Sequence, residues 1–223
     1  MDYLKDALEQ GLTSLSDFDS KRFLAQYGIP VTLEKIAGTL KAAREAAKEI
    51  GFPVALKGSG PGLLHKTELD LIRLNLQNET ELVEAFGQLT AGPSEPAHEV
   101  LVQQMIAGER ELVAGLVRDP QFGPCVLLGL GGVLTEVLED VVFRVAPLTR
   151  WDAFQMMEEL RGRKILEAFR GRPPVDREAL ADLIITLGRI GLENPAIREI
   201  DLNPLKIQAG IPVAVDALII LHP

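Results

Sequence analysis

The chain has 223 residues, enough for one large domain or two smaller ones, and its 47% hydrophobic and 25% charged content is ordinary for a globular protein. Its formal net charge of -9 disfavours nucleic acid and anionic membrane surfaces as partners, so an anionic ligand would need local cations or a bound metal. The single cysteine, Cys125, excludes an internal disulfide. No segment has the length of a membrane span, and the charged N-terminal residues argue against a signal peptide. We therefore expect a cytoplasmic protein.

The first half of the chain alternates predicted helices and strands. Residues 1–15 are typical of a short helix, and Ser16 is a typical N-cap for a helix that ends near Gly28. A strand-like segment follows, and Thr39 can cap the next helix, which ends at Gly51. Two strands on either side of a glycine-rich loop, and one more helix, are predicted at Pro53–Lys57, Leu71–Leu76 and Thr80–Leu89. This alternation predicts an α/β unit.

The segment Ala91–Glu99 is rich in glycine and proline and is a candidate domain boundary. Beyond it the sequence predicts four strands, at Val100–Met105, Leu112–Arg118, Cys125–Leu130 and Leu134–Ala146. Helices are predicted over Trp151–Phe169 and from Asp176 onward, and the remainder is typical of strands with a turn at Ala209-Gly210. We therefore divide the chain into an N-terminal helix and two subdomains, at residues 1–16, 17–99 and 100–223.

Lys57 ends an apolar predicted strand, and a glycine-rich loop that contains Ser59 follows directly. A lysine at a strand end can meet a phosphate as a point charge, and the glycines allow a ligand to approach backbone N–H groups. The arrangement is not a P-loop, because the lysine precedes the glycines. The alternative is a surface lysine before an ordinary turn.

His65 lies just after this loop and is one of three histidines in the chain. An imidazole near its unperturbed pKa is partly neutral at pH 7, so it can act as a nitrogen nucleophile and accept a phosphoryl group. The other two, His98 and His222, lie in the candidate boundary and at the C-terminus, where neither is poised for chemistry. The alternative for His65 is a solvated loop residue.

Two further segments allow a functional and a structural interpretation. Glu111 follows a predicted turn between two strands, where a carboxylate can face a ribose or a metal or simply be solvated. The segment Gly129-Leu130-Gly131-Gly132 follows a buried run and can cradle an anion or permit close packing of the chain. The local sequence leaves both pairs of alternatives open.

The strongest cluster comprises Asp201, Asn203 and Asp216 near the C-terminus. Residues 201 and 203 share one face of a predicted strand because side chains alternate, and Asp216 can lie opposite them once the chain turns at Ala209-Gly210. Hard oxygen ligands of this kind suit Mg²⁺, which keeps much of its coordination shell for water and substrate phosphates. A phosphate-bearing nucleotide is therefore the first ligand to consider. The alternative is that these residues cap turns at strand ends.

Taken together, these segments resemble the ATP-grasp subunit of nucleoside-diphosphate-forming acyl-CoA synthetases, a family related to succinyl-CoA synthetase. The resemblance runs from about Asp17 to Leu221, and the order and spacing of its motifs are specific although no single motif is. The matching segments are Phe52–Lys57, Leu64–Glu68, Val102–Met105, Glu111-Leu112, Asp119–Pro124, Gly129–Gly132 and Glu199–Pro204.

The resemblance implies an ATP-grasp fold, an α/β architecture of two α+β halves with the nucleotide cleft between them. It implies contacts with ATP or ADP for Lys57, Ser59, Gln103, Gln104, Met105 and Glu111, the Val102–Met105 strand being the adenine hinge. Asn203 and Asp216 would hold Mg²⁺, and Asp201 would lie near the metal or a phosphohistidine. His65 would be the catalytic carrier that shuttles a phosphoryl group to a partner's active site.

The implied activity is the exchange of acyl-CoA, ADP and phosphate with a carboxylic acid, CoA and ATP, through acyl phosphate and phosphohistidine intermediates. Members of this family also need a CoA site and a second catalytic histidine, and no spare segment of this sequence supplies them. We therefore expect one subunit of a hetero-oligomer, or an excised domain, whose partner is a CoA-binding α subunit or domain.

The sequence departs from the family pattern at Asp70-Leu71, where the family has two glycines. Asp70 adds negative charge and Leu71 adds bulk near the expected phosphates, and two like charges ~4 Å apart repel by about 4 kcal/mol at an effective dielectric of about 20. Two alternatives to the implied activity stay open, and the first of them follows from this departure. One is a structural or regulatory subunit with impaired nucleotide binding, and the other is an ATP-grasp ligase without a histidine carrier.

Overall fold

The computed structural model describes residues 3–59, 71–91, 99–108, 110–132, 140–168 and 171–222. The chain forms two compact units: unit 1 consists of Met1–Val31 with Ala107–Pro223, and unit 2 consists of Thr32–Ile106. These bounds differ from the division expected from the sequence. The N-terminal helices group with the C-terminal part of the chain, and a strand that begins at Glu99 belongs to the sheet of unit 2.

Helices and strands both contribute heavily, which confirms the expected mixed fold class. The helices, in chain order, are α1 (Tyr3–Glu9), α2 (Asp17–Gln26), α3 (Leu40–Ile50), α4 (Glu79–Thr90), α5 (Arg150–Glu159) and α6 (Arg177–Glu193). The strands are β1 (Glu34–Ala37), β2 (Val54–Ser59), β3 (Ile72–Leu76), β4 (Glu99–Gln104), β5 (Glu111–Asp119), β6 (Gly123–Leu130), β7 (Val141–Val145), β8 (Ile197–Gln208), β9 (Ile211–Ala214) and β10 (Ala217–Leu221). Within the described ranges, we find no helix with the length and apolar character that crossing a bilayer requires.

Unit 2 is a four-stranded antiparallel sheet in the order β1-β4-β2-β3, with α3 and α4 packed on one face. The alternation of side chains along each strand decides which residues meet the helices. Val54 and Leu56 of β2 and Val102 of β4 enter the core beneath the helices. Lys57 and Gln103, which follow Leu56 and Val102 directly, therefore lie on the opposite face of the sheet.

Unit 1 contains a second antiparallel sheet, in the order β10-β8-β5-β6-β7, and β9 also pairs with β8. Helix α6 packs against β5 and β6 on the apolar face of this sheet. Two glycines permit this close approach. A methyl group on Gly188 would lie 2.9 Å from Leu148 Cδ1, and one on Gly191 would lie 2.4 Å from Leu116 Cδ1 and 2.8 Å from Pro124 Cβ. Larger residues at these positions would push the helix away from the sheet.

Helix ends lie where the capping signals predicted them. Ser16, Thr39 and Asp176 each accept a hydrogen bond from the backbone N–H of the third residue after them. Gly28 and Gly51, which follow α2 and α3, have φ angles of 85° and 89° that favour glycine. These predicted boundaries are confirmed because each depends on residues within one helical turn.

The single helix expected over Trp151–Phe169 is wrong. Helix α5 ends at Glu159, and a short 3-10 helix follows at Arg163–Leu166, while Phe169 itself lies outside the described residues. Between them the buried carboxylate of Asp140 accepts hydrogen bonds from the backbone N–H groups of residue 161 at 2.9 Å and residue 162 at 2.7 Å. A residue distant in sequence thus takes up donors that a continuous helix would use, and local patterns do not reveal it.

Leu71, half of the departure from the family pattern, is a core residue of unit 2. It immediately precedes β3, is 6% exposed and belongs to the apolar cluster beneath α3 and α4. Its carbonyl oxygen also accepts a hydrogen bond from Gly58 N at 2.7 Å, which extends the pairing of β2 with β3. The bulk of this leucine therefore fills the core of the unit.

We expect Leu71→Ala to lower the free energy of unfolding by about 2–5 kcal/mol, because it leaves a cavity in that core. Leu74→Ala, in the adjoining strand β3, is the matched control because Leu74 is 60% exposed, and it should change stability by less than about 0.5 kcal/mol. Urea denaturation followed by circular dichroism measures both. Equal effects of the two substitutions would contradict the packing role of Leu71.

Candidate functional site

Strand β8 carries the candidate catalytic carboxylate Asp201 on the face of the unit 1 sheet that faces away from the apolar core. Ile200 and Leu202 point into the core, so Asp201 between them points to the other side. Asp201 lies opposite Gly115 of β5. Asn203, two residues further along β8, is exposed. The strand thus combines a buried apolar row with polar oxygen donors.

Asp216 lies in the turn that joins β9 to β10, and this turn adjoins the middle of β8. The first half of β8 pairs with β10 and the second half with β9, so the partner strand changes at Asn203-Pro204. Val215 N, just before Asp216, donates a hydrogen bond to Pro204 O at 3.1 Å. The structure therefore brings Asp216 beside Asn203, as the position of the preceding turn led us to expect.

A cation that the sequence did not single out, Lys206, lies on the same sheet face as Asp201. The pairing of β5 with β8 shifts by one residue between Leu112 and Ala114, which indicates a β-bulge. Before the bulge the even-numbered residues Ile200 and Leu202 face the core, and after it the odd-numbered residues Leu205 and Ile207 do. Lys206 then lies opposite Glu111 and forms an ion pair with it, with 3.0 Å between Nζ and Oε1. The pair follows from the register of β5 with β8, and the linear sequence does not reveal that register.

Glu111 also contacts the glycine-rich segment that follows β6. Gly131 N donates to the Glu111 carbonyl oxygen at 2.8 Å, and a methyl group on Gly131 would lie 2.8 Å from Glu111 Cβ. Gly132 has a φ angle of +68°, and a methyl group there would lie 3.0 Å from Glu111 Oε2. These distances favour the interpretation that the glycines permit close packing of the chain against Glu111.

The carboxylates around Asp201 repel one another. Burial raises the pKa of Asp201 above its ordinary value, and the negative charges of Glu199 and Asp216 raise it further. A divalent cation among these oxygens would relieve the repulsion, so the donor set fits a hard metal ion. In the ranges that the structure describes, no group of three or more histidine, cysteine or carboxylate side chains could hold a metal.

Lys57 lies within β2 of unit 2, where the strand continues two residues beyond it to Ser59. It pairs with Leu101 of β4 and is only 3% exposed. The expectation of a lysine at the strand end is therefore corrected to a buried lysine inside the strand. Ser59 contributes its backbone to the pairing with Glu99. A buried ammonium group is stable only when charges or hydrogen-bond acceptors compensate its lost hydration.

Three residues of the expected adenine hinge, Gln103, Gln104 and Met105, differ in their contacts. Gln103 is 1% exposed and lies on the same sheet face as Lys57. Gln104 N donates to Leu33 O at 2.8 Å, and Gln104 Oε1 accepts from Leu33 N at 3.3 Å. The backbone N–H and the side-chain amide of Gln104 therefore both join β4 to the segment before β1. Met105 N donates to Pro53 O at 3.4 Å. Of these side chains, Gln103 shares the face of Lys57.

His65 lies outside the described residues, as does Asp70. Within unit 1 the structure brings together Asp201, Asn203 and Asp216, and it pairs Glu111 with a lysine. Within unit 2 it places the ammonium-bearing and amide-bearing residues of β2 and β4 on one face. The candidate groups thus form one set rich in carboxylates on unit 1 and one set with a lysine and a glutamine on unit 2.

The similarity of the chain to known proteins extends over almost its whole length. A family model described as an ATP-grasp domain matches residues 6–221. The chain is 41% identical to the β subunit of ADP-forming acetate–CoA ligase I from Pyrococcus furiosus, covering 91% of this chain and 90% of that subunit. It is 40% identical to ADP-forming acetate–CoA ligase I from Archaeoglobus fulgidus, covering 89% of this chain but 30% of that longer protein.

One solved structure is similar to this chain over almost the full length of both proteins. It is dinucleotide-forming acetyl-coenzyme A synthetase 1 from Ca. Korarchaeum cryptofilum, with a TM-score of 0.88, 43% identity and 99% of each chain covered. That structure is a complex with coenzyme A and Mg-AMPPCP, and its phosphohistidine segment points towards the nucleotide-binding site.

We expect Asp201→Asn to raise the free energy of unfolding at pH 7 without Mg²⁺, because it removes a carboxylate whose pKa is raised in the folded state. The folded protein holds this proton more tightly than the unfolded chain, so the ionised group destabilises the fold above the folded pKa. As the pH falls through the folded pKa towards the ordinary value of 3.8, the advantage of the variant should disappear. Thermal unfolding at a series of pH values from 7 down to the ordinary pKa of 3.8 measures the trend.

Asp152→Asn is the control of opposite sign. The hydroxyl of Thr149, and then its backbone N–H, lower the pKa of Asp152 in the capping box of α5. Its ionised form therefore stabilises the fold above the ordinary pKa, and this contribution is lost as the pH falls through the folded pKa. Asp152→Asn should destabilise the protein at pH 7. If Asp201→Asn also destabilised it at pH 7, the raised pKa of Asp201 in the folded state would be refuted.

Proposed function

This chain belongs to the ATP-grasp family of ADP-forming acyl-CoA synthetases, and we propose that it is the nucleotide-using subunit of such an enzyme. The reaction is the exchange of acyl-CoA, ADP and phosphate with a carboxylic acid, CoA and ATP. The observation that carries the proposal is the set of oxygen donors around β8, in a chain that matches a named β subunit over nine-tenths of its length.

In unit 1, Asn203 and Asp216 are the proposed ligands of Mg²⁺, and Asp201 lies on the same acidic strand. Bound Mg²⁺ would supply positive charge that neutralises the nucleotide phosphates. Burial is the first cause of the raised pKa of Asp201, and the negative charges of Glu199 and Asp216, which a bound cation would offset, raise it further; this second contribution supports the assignment. Glu111 is the proposed contact on the sugar or phosphate side, and its ion pair with Lys206 holds the carboxylate in one orientation.

In unit 2, Lys57 is the proposed contact for nucleotide phosphate, and Ser59 follows it in the same strand. Burial supports this role, since an ammonium group with little water around it makes a stronger interaction with an anion. Gln103, Gln104 and Met105 are proposed to line the adenine. The backbone N–H groups of the last two already donate within unit 2, which holds this segment in place.

His65 is the proposed phosphoryl carrier. One imidazole nitrogen would attack the terminal phosphorus of ATP, the bond from that phosphorus to the ADP oxygen would break, and ADP would leave with the electron pair. The phosphoryl group would then pass to a carboxylic acid in the partner's active site. The phosphohistidine segment named for the related Korarchaeum structure supports this assignment.

The proposed partner is a CoA-binding α subunit that carries a second catalytic histidine, so the working enzyme is a hetero-oligomer. Relatives that are named as β subunits, and longer relatives in which this chain corresponds to 30% of the length, support a division of the reaction between subunits or domains. We propose the cytoplasm as the location of this assembly.

Lys57→Met should weaken nucleotide binding by roughly 10-fold to 100-fold, since a hydrogen bond to a charged group contributes about 1.5–3 kcal/mol. Methionine keeps the length and apolar stem of the side chain, so the strand should still fold. Lys35→Met removes an exposed lysine of the same unit that pairs with Glu49, and it should leave the affinity unchanged. Calorimetric titration with Mg·ATP measures both variants. Equal affinity of Lys57→Met and wild type would exclude the phosphate contact.

Incubation with Mg²⁺ and ATP labelled at the γ-phosphate should transfer label to His65. The expected product is labile in acid and stable in base, as a phosphohistidine is, and it should be missing from His65→Ala. With the CoA-binding partner present, the same variant should lose turnover. If His65→Ala keeps full turnover and the wild type carries no label on His65, the protein is an ATP-grasp ligase without a histidine carrier. If the wild type does not bind Mg·ATP, it is a non-catalytic subunit.

A further inference from the structure

An ion pair in helix α2 lies against the turn that carries Asp216. Lys21 is 0% exposed, and its Nζ lies 3.2 Å from Oδ2 of Asp17, one helical turn earlier. Asp17 is also largely buried, with 11% of its side chain exposed. The two residues and the turn all belong to unit 1.

Each member of this pair binds one neighbour of Asp216. Lys21 Nζ donates a hydrogen bond to Val215 O at 3.0 Å, and Asp17 Oδ1 accepts one from Ala217 N at 3.1 Å. These bonds join residues 194 and 200 positions apart in the sequence, so they are tertiary contacts. The peptide groups on both sides of Asp216 are therefore attached to the N-terminal part of the chain.

Stability alone is a weak reason for such an arrangement. Desolvation of two buried charges offsets most of their attraction, and an apolar pair of similar volume is often as stable or more stable. What the ion pair adds is direction, because a cation donates to a carbonyl oxygen and a carboxylate accepts from an N–H in defined geometries. The pair is also neutral as a whole, so it adds no net charge beside a cation-binding carboxylate.

We propose that Asp17 and Lys21 are positioning residues that orient the Asp216 carboxylate for Mg²⁺. Asp216 lies where β8 changes its partner from β10 to β9, so its turn is not part of a continuous strand ladder. The two long-range bonds supply the orientation that a continuous ladder would otherwise give. This inference rests on the proposed role of Asp216 as a metal ligand.

The test uses Lys21→Met in the full chain, with two measurements. Hydrogen exchange of the Ala217 amide should accelerate, since its acceptor Asp17 loses the cation that holds it, while amides between β5 and β6 should keep their protection. The Mg²⁺ concentration needed for half-maximal ATP binding should rise by roughly 10-fold to 100-fold, the usual effect of removing an outer-shell partner of a metal ligand. Binding of ATP in excess EDTA should be unchanged.

Lys5→Met is the matched control, because Lys5 forms an ion pair of the same spacing with Glu9 in α1 that is exposed on both sides. It should change neither measurement. If Lys21→Met fails to fold because Asp17 is left as an uncompensated charge, the double variant Asp17→Asn with Lys21→Met removes both charges. It should fold and still show the increased Mg²⁺ requirement, because Val215 O has lost its donor.

The outcomes separate this inference from the proposed function. A wild-type chain that binds no Mg·ATP overturns the proposed function, and the positioning role falls with it. A wild-type chain that binds Mg·ATP, combined with a folded Lys21→Met or double variant whose Mg²⁺ requirement is unchanged, overturns the positioning role alone. An increased Mg²⁺ requirement with unchanged binding in EDTA supports both.

Discussion

The rest of the structure depends on strand β8, which must satisfy two requirements with one alternating pattern. Ile200 and Leu202 are buried in the core of unit 1, so Glu199 and Asp201, which alternate with them, carry the acidic groups on the other face. A slip of one residue would bury Asp201 and expose Ile200 and Leu202, which would cost both the core and the candidate site. The pairing of β8 with β5 on one side, and with β9 and β10 on the other, makes that slip costly.

The same strand shows how function is obtained at the expense of stability. Asp201 sits where burial and like charges raise its pKa, and this is unfavourable for the folded apo protein at neutral pH. A surface selected only for stability would carry a neutral or apolar residue there. The bulge beside Asn203-Pro204 likewise interrupts regular pairing, and it places Lys206 and Asp201 on one face. The features that lower the stability of the apo protein therefore lie at the residues that we assign to metal and nucleotide binding.

Much of the fold could be predicted from short stretches of sequence, whereas the site could be predicted only in part. The caps at Ser16 and Thr39 and the turn at Ala209-Gly210 depend on neighbouring residues, and the structure confirms them. The end of α5 depends on Asp140, and the Glu111–Lys206 ion pair depends on the register of β5 with β8. Such contacts join distant parts of the chain, so no local pattern encodes them. The grouping of the N-terminal helices with the C-terminal sheet has the same origin.

The departure at Asp70-Leu71 separates into two physically different changes. Leucine in place of glycine lowers backbone freedom, but in this chain its side chain is buried in the core of unit 2 and its carbonyl oxygen accepts from Gly58. That substitution therefore exchanges flexibility for apolar burial, worth about 1.5–3 kcal/mol for a leucine side chain. It does not place bulk on the sheet face that carries Lys57, because the core lies on the other face of the same sheet. The consequence of the departure for a bound phosphate is therefore one of charge, from the carboxylate of Asp70, and not one of bulk.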